Sequence, residues 1–69
     1  MAKVMTGHIV DIWDRETAVW ISVRTSRGIL PVVLTPEAVE KIIRKEGELE
    51  GREVRVTGDP GAQKLTFLD

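Results

Sequence analysis

The stretch TPEAVEKIIRKEG, residues 35–47, decides the fold of this chain because it is the one segment with the pattern of a helix. It begins with a potential capping residue, Thr35, followed by Pro36, and it ends at Gly47, a common residue after a last helical turn. Its apolar residues recur at helical spacing and predict a buried stripe made of Val39, Ile42 and Ile43. The segments on both sides of this helix have the pattern of strands.

Five stretches of the chain carry apolar residues as strands do. The clearest is residues 18–25, where Val19, Ile21 and Val23 alternate with small, polar or aromatic residues. The predicted strands cover residues 4–13, 18–25, 29–34, 52–58 and 64–69. The predicted order is therefore β-β-β-α-β-β, an all-β domain with one helix that occupies residues 1–69.

Turn positions predict which residues of neighbouring strands face each other. A turn at residues 26–27 pairs Val23 with Leu30 and continues to pair core residues along both strands. A turn at residues 59–62, in which Pro is followed by Gly, pairs Val56 with Leu65. Both hairpins therefore place apolar residues on one shared face of the sheet.

Regular alternation cannot place both apolar residues of the first strand in the core. Ile9 and Ile12 are three residues apart and would point to opposite faces of a regular strand. Both can face the core only if a β-bulge lies between them, and Gly7 is a place where the strand could bend. Depending on the bulge, either Ile9 or Val10 joins the core. The rest of the predicted core is Ile12, Val19, Ile21, Val23, Leu30, Val32, Leu34, Val39, Ile42, Ile43, Val54, Val56, Leu65 and Phe67.

Composition narrows the possible functions. A chain of 69 residues allows one domain, and its formal net charge of -1 argues against a strongly electrostatic nucleic-acid binder. It contains no cysteine and one histidine, so we expect neither disulfides nor a structural zinc site. No apolar run has the length of a membrane helix or the pattern of a signal peptide, which predicts a cytoplasmic protein without a membrane partner.

No arrangement of residues indicates catalysis. Asp11, Asp14 and Glu16 lie close together in the sequence, but no second set of ligands or proton-transfer groups accompanies them. We interpret them as polar residues flanking a turn. We therefore predict that the protein is not an enzyme and has no cofactor or metal.

The segment order, with Gly7 early in the first strand and Ile9 and Ile12 spaced after it, resembles the OB-fold (oligonucleotide/oligosaccharide-binding) superfamily. The resemblance covers the whole chain and indicates no specific family within the superfamily. It implies a five-stranded Greek-key barrel with a helix between strands three and four. A small SH3-like barrel is the structural alternative, although it would not normally hold a helix of this length.

The resemblance further implies that single-stranded DNA or RNA binds the outer face of strands two and three. Indoles on that face could stack on bases, and arginines could hold phosphates. A two-residue turn at residues 15–16 would place Trp13 opposite Ala18, with Trp20 diagonally across on the same side. The implied site residues are Trp13, Trp20, Ser22, Arg24, Arg27, Ile29 and Val33, with Arg15 and Lys64 extending the track.

The same face supports a second interpretation. Ile29, Pro31 and Val33 make an apolar patch beside Trp20, and patches of this kind usually mark a protein or ligand site. The alternative function is therefore a protein–protein interaction or homodimeric assembly module with no nucleic-acid role. In that case both tryptophans are buried against a neighbour such as the helix or a second copy.

Overall fold

A computed structural model of the chain describes residues 4–59 and 61–69. The elements are β1 (Val4–Arg15), β2 (Ala18–Thr25), β3 (Gly28–Leu34), α1 (Pro36–Glu46), β4 (Glu53–Thr57) and β5 (Lys64–Phe67). The predicted order of five strands and one helix is confirmed. The bounds differ most at two strand ends, each by two residues. β1 continues to Arg15 because the turn after it lies at Glu16 and Thr17, and β5 ends at Phe67 instead of Asp69.

The five strands form one antiparallel sheet in the order β3-β2-β1-β4-β5. β1 is central, since residues 4–8 pair with β4 and residues 7–15 pair with β2. Within residues 4–59 and 61–69, no ladder joins β3 to β5, so the sheet is not closed into the predicted barrel. β3 and β5 are the two edges of the sheet, and β5 has only four residues that could pair with β3.

A β-bulge in β1 allows both Ile9 and Ile12 to face the core. The register with β2 shifts between Ile9 and Asp11, which makes Val10 the extra residue and leaves it exposed. Ile9 is fully buried opposite Val23, and Ile12 packs against the same core. The predicted bulge is therefore confirmed, and Ile9 belongs to the core instead of Val10.

Gly7 lies where β1 is paired with both of its neighbouring strands. It pairs with Thr25 of β2 on one side and with Val54 of β4 on the other. A Cβ atom at this position would lie 2.1 Å from the carbonyl oxygen of Arg24. Because real side chains do not come that close to backbone, glycine is required for this approach of the two strands.

The core lies on one face of the sheet, which we call the inner face, and α1 packs against that side. Its buried residues are Ile9, Val19, Ile21, Val23, Val32, Val39, Leu49, Val54 and Val56. The other predicted core residues pack around these, with one exception: Ile43 is 49% exposed. The helix reaches the core through Val39 and Ile42, and Ile43 lies at the rim of the contact beside Arg44.

Both predicted ends of α1 are confirmed. The Thr35 hydroxyl accepts a hydrogen bond from the Ala38 N–H at 3.2 Å. At the other end, the Gly47 N–H donates to the Ile43 carbonyl at 2.8 Å, with Gly47 at a φ of 81°. That φ is favourable for glycine and ends the helix. No helix formed by the described residues has the length and apolar character needed to span a membrane.

The closing hairpin has the predicted register, with Val54 opposite Phe67 and Val56 opposite Leu65. The Ala62 N–H donates to the Asp59 carbonyl at 2.9 Å across the turn. Pro60, which the sequence places in this turn, lies outside the described residues.

Arg52 joins the end of α1 to the residues after β5. Its guanidinium donates to the Glu46 carbonyl and to the Asp69 carboxylate, both at 2.8 Å, and to the Glu46 carboxylate at 3.1 Å. It also lies over the Phe67 ring. The hydrogen bonds from Arg52 and from the Glu53 N–H hold the pKa of Asp69 below its ordinary value.

Candidate binding face

The outer face of the sheet is the side opposite the core. On β1, β2 and β3 its side chains form rows across the strands, because antiparallel partners project to the same side. The three rows are Trp13–Trp20–Val33, then Asp11–Ser22–Pro31, then His8–Arg24–Ile29. The sequence-predicted residues on β2 and β3 are therefore brought together as expected.

The first row contains two tryptophans side by side. Trp13 and Trp20 are direct partners in the β1–β2 ladder and are 60% and 42% exposed. The predicted pairing of Trp13 with Ala18 is wrong, because the turn at residues 16–17 pairs Ala18 with Arg15. From that pair, the ladder runs backward along β1 and forward along β2, so Trp13 lies opposite Trp20. Neither indole is buried against the helix.

Arg15 extends this row toward the β1–β2 turn. Its Cζ atom lies 4.6 Å from the centroid of the Trp13 ring, a cation–π distance. The guanidinium therefore covers one side of the Trp13 indole, and Trp20 has no such cover from a cation in the described residues. Trp13 nevertheless stays the more exposed of the two, so a planar ligand can reach both indoles.

The cations of β2 and its turn lie at the other end of the face. Arg24 is four residues from Trp20, which is about 13 Å along a strand. Arg27 is in the turn after β2, where its N–H donates to the Thr25 hydroxyl at 3.1 Å. A ligand that contacts both the tryptophans and these arginines must therefore be elongated.

Lys64 does not belong to this group of residues. It lies on β5, three strands away from β2, and pairs with Thr57. At about 4.8 Å between neighbouring strands, β5 is about 14 Å from β2. That Lys64 extends the track of cations stays a prediction, and such a track would have to cross β1 and β4 to reach β5.

The outer face carries more positive than negative charge. Its outward cations on the described strands are Arg15, Arg24, Arg55 and Lys64, and its acids are Asp11 and Glu53. Arg55 is not among the sequence-predicted site residues, although its alternation with buried Val54 and Val56 is enough to place it on this face. Residues 36–50, on the inner side, contain five acids and three cations. The small net charge of the chain thus hides a difference between its two sides.

The acids near the first turn do not form one cluster. Asp11 pairs with Ser22 on the outer face, whereas Asp14 pairs with buried Val19 and lies beside the start of α1. No three His, Asp or Glu side chains come together to hold a metal ion in the part of the chain that the structure describes.

Comparison with known proteins finds no matching family model, no matching curated protein and no matching solved structure. The described elements define the class of the protein as a small, mostly antiparallel β domain with one helix.

Proposed function

We propose that this protein binds single-stranded nucleic acid on the outer face of β1, β2 and β3. The observation that carries the proposal is the pair of exposed indoles, Trp13 and Trp20, directly opposite each other on that face. Stacking of a base on an aromatic side chain contributes about 1–3 kcal/mol and tolerates any sequence, since every base has a π-face. Two adjacent indoles therefore suit two unpaired bases.

We also propose that the chain is an OB-type module whose sheet is open between β3 and β5. The strand order β3-β2-β1-β4-β5, with α1 between β3 and β4, supports this interpretation, because OB-folds are partly open five-stranded barrels. The tryptophan row lies on the face that OB-folds use for ligands. The short β1–β2 turn leaves that face uncovered at one end.

The arrangement of charge indicates weak binding that depends modestly on salt. Arg15, Arg24 and Arg27 are the cations nearest the tryptophans, so about three phosphates are contacted at most. Each phosphate contacted on a single strand contributes about -0.7 to the slope of log affinity against log salt concentration, so the expected slope is roughly -2. Stacking supplies the larger share of the affinity.

Fluorescence anisotropy of a labelled thymidine 9-mer, titrated with protein at low salt, tests the proposal. Loss of one stacking contact in Trp20→Ala should weaken binding by about fivefold or more. Ile43→Ala is the matched control, because Ile43 is similarly exposed but lies on the helix. Absence of binding to DNA and RNA at low salt, or equal binding by both variants, would contradict the proposal.

A homodimer remains the second candidate function, and the exposure of Ile29 and Val33 on edge strand β3 favours it. Light scattering over a range of concentrations decides between the two candidates. A stable dimer that Val33→Glu dissociates, together with no affinity for oligonucleotides, would support assembly in place of nucleic-acid binding.

A further inference from the structure

The row next to the tryptophans contains hydrogen-bonding groups that neither stacking nor phosphate contacts use. Asp11 and Ser22 are cross-strand partners, each two residues from a tryptophan on its own strand. They therefore lie about 7 Å further along the outer face. Neither side chain makes a hydrogen bond or ion pair with any residue that the structure describes.

The bulge in β1 determines that Asp11 occupies this place. If the same residues formed a regular strand with no bulge, strict alternation from buried Ile9 would direct Val10 outward and Asp11 to the inner face. The shift in register turns Asp11 outward, between the rows of His8 and Trp13. Bulges commonly redirect a side chain beside a binding site in this way.

On the basis of the proposed function, we infer that Asp11 and Ser22 read the base stacked on Trp20 and that the site prefers guanine. An ionised carboxylate only accepts hydrogen bonds, and it can accept two at once from adjacent donors. The guanine Watson–Crick edge presents two adjacent donors, N1–H and N2–H, and next to them the acceptor O6. The Ser22 hydroxyl can donate to that acceptor.

The other bases complement this pair less well. Thymine and uracil present a single donor between two acceptors, and adenine and cytosine each present one amino group beside an acceptor nitrogen. In each case the second carboxylate oxygen of Asp11 would face an acceptor or lack a partner, which is unfavourable. Asp11 also repels phosphate, so it favours a strand with its base toward Asp11 and its backbone toward Arg24.

The test compares 9-mers of thymidine whose central residue is guanine, inosine, adenine, cytosine or thymine. All five carry the same charge, so differences in affinity report contacts to the base. Anisotropy should show that the guanine oligonucleotide binds about fivefold or more tightly than the thymine one, the discrimination expected of a good bidentate contact. Inosine lacks only the N2 amino group and should lose most of that preference.

Asp11→Asn should remove the guanine preference while thymine binding stays the same or improves, because the variant loses a negative charge beside the strand. Asp14→Asn is the matched control: it removes the same charge three residues away, off the outer face, and should keep the preference. Circular dichroism of both variants checks that the fold is retained.

The outcomes separate this inference from the function on which it rests. If none of the oligonucleotides binds, the proposed function fails and the inference fails with it. If all five bind equally, or if adenine or thymine is preferred, nucleic-acid binding stands and base reading by Asp11 and Ser22 is overturned. A guanine preference that persists in Asp11→Asn also overturns the role of Asp11.

Discussion

Gly7 and Val10 are the two residues of β1 that depart from a regular strand, and both shape the outer face. Gly7 lets β1 approach β2 closely enough to pair with it while also pairing with β4. Val10 shifts the phase between the buried Ile9 and the outward Asp11. Position along the strand, more than residue type, thus decides which side chains reach the outer face.

We expect Gly7→Ala to lower the free energy of unfolding by about 1–3 kcal/mol, the usual effect of overpacking. The added Cβ would lie 2.1 Å from the Arg24 carbonyl oxygen, so β1 and β2 must separate locally. Urea denaturation measures the change. Thr6→Ala, at the exposed neighbouring position, should change stability by less than about 0.5 kcal/mol. Equal effects of the two substitutions would contradict the close-contact explanation.

At the scale of elements, α1 is attached to the sheet by a narrower stripe than its sequence suggests. Val39 is 5% exposed and belongs to the buried core, Ile42 packs against that core, and Ile43 is half exposed. The helix therefore covers only part of the inner face.

This arrangement predicts different effects for two similar truncations in α1. Val39→Ala should destabilise the protein by about 2 kcal/mol, because it removes two methyl groups from the core and leaves a cavity. Ile43→Ala should change stability by less than about 0.5 kcal/mol, since alanine also has the higher helix propensity. Urea denaturation compares them, and a larger loss in Ile43→Ala would contradict the packing described for α1.

Edge strand β3 carries Pro31 at its centre. In a hairpin with a two-residue turn, hydrogen-bonded and non-hydrogen-bonded pairs alternate from the closing pair, here Thr25 and Gly28. Pro31, opposite Ser22, falls at a non-hydrogen-bonded position, where a backbone N–H would point to the free edge. Proline thus removes a donor from the edge without cost to the β2–β3 ladder.

Pro31→Val restores that donor and should increase self-association through the β3 edge. Sedimentation velocity over a range of concentrations should show a larger associated fraction in Pro31→Val than in the unmodified protein. Ile29→Val, on the same edge strand, adds no donor and serves as the control. If Pro31→Val does not associate more than that control, Pro31 does not protect the edge.

Local patterns were sufficient to predict the elements and most of the pairing, because turns and alternation are encoded within a few residues. The register of Val23 with Leu30 and the bulge between Ile9 and Ile12 both follow from such patterns. The partner of Trp13 does not, since a turn at residues 15–16 or at 16–17 fits the polar segment equally well. Closure of the sheet and the remoteness of Lys64 depend on contacts between distant segments, which periodicity does not encode.

At the scale of the whole molecule, positive charge prevails on the outer face and negative charge on the helix side. Arg52 acts at a separate place, where it ties the end of α1 to Asp69 after β5. Arg52 is 17 residues from Asp69 in the sequence, yet their side chains are 2.8 Å apart. The contact joins α1 to the end of β5, two elements that share few other contacts.

Because the pKa of Asp69 is lowered in the folded protein, its ionised carboxylate stabilises the fold. Its contribution to the free energy of unfolding is complete above pH 3.8, the ordinary pKa of this carboxyl group. The contribution is lost as the pH falls from 3.8 through the lower pKa that the group has in the folded protein. Asp69→Asn should therefore reduce the free energy of unfolding at pH 7, and the difference from the unmodified protein should shrink as the pH falls below about 4.

Urea denaturation at several pH values between 7 and 2.5 measures this difference. Asp59→Asn removes the same charge from the exposed β4–β5 turn and should not reproduce it. A difference between Asp69→Asn and the unmodified protein that is constant down to pH 2.5 would show that the ion pair with Arg52 is not its source.

The bulge at Val10 also has a consequence for how the gene can change. Loss of the single codon for Val10 would remove the bulge, yet Ile9 could still pair with Val23 and Ile12 with Ile21, so Ile12 would stay in the core and Trp13 on the outer face. Strand β2 has no extra residue, and loss of one codon within it would exchange the two sides of everything that follows in the strand. We therefore expect variants of this protein to gain or lose a residue at the bulge of β1 far more often than within β2, where they should differ by replacement.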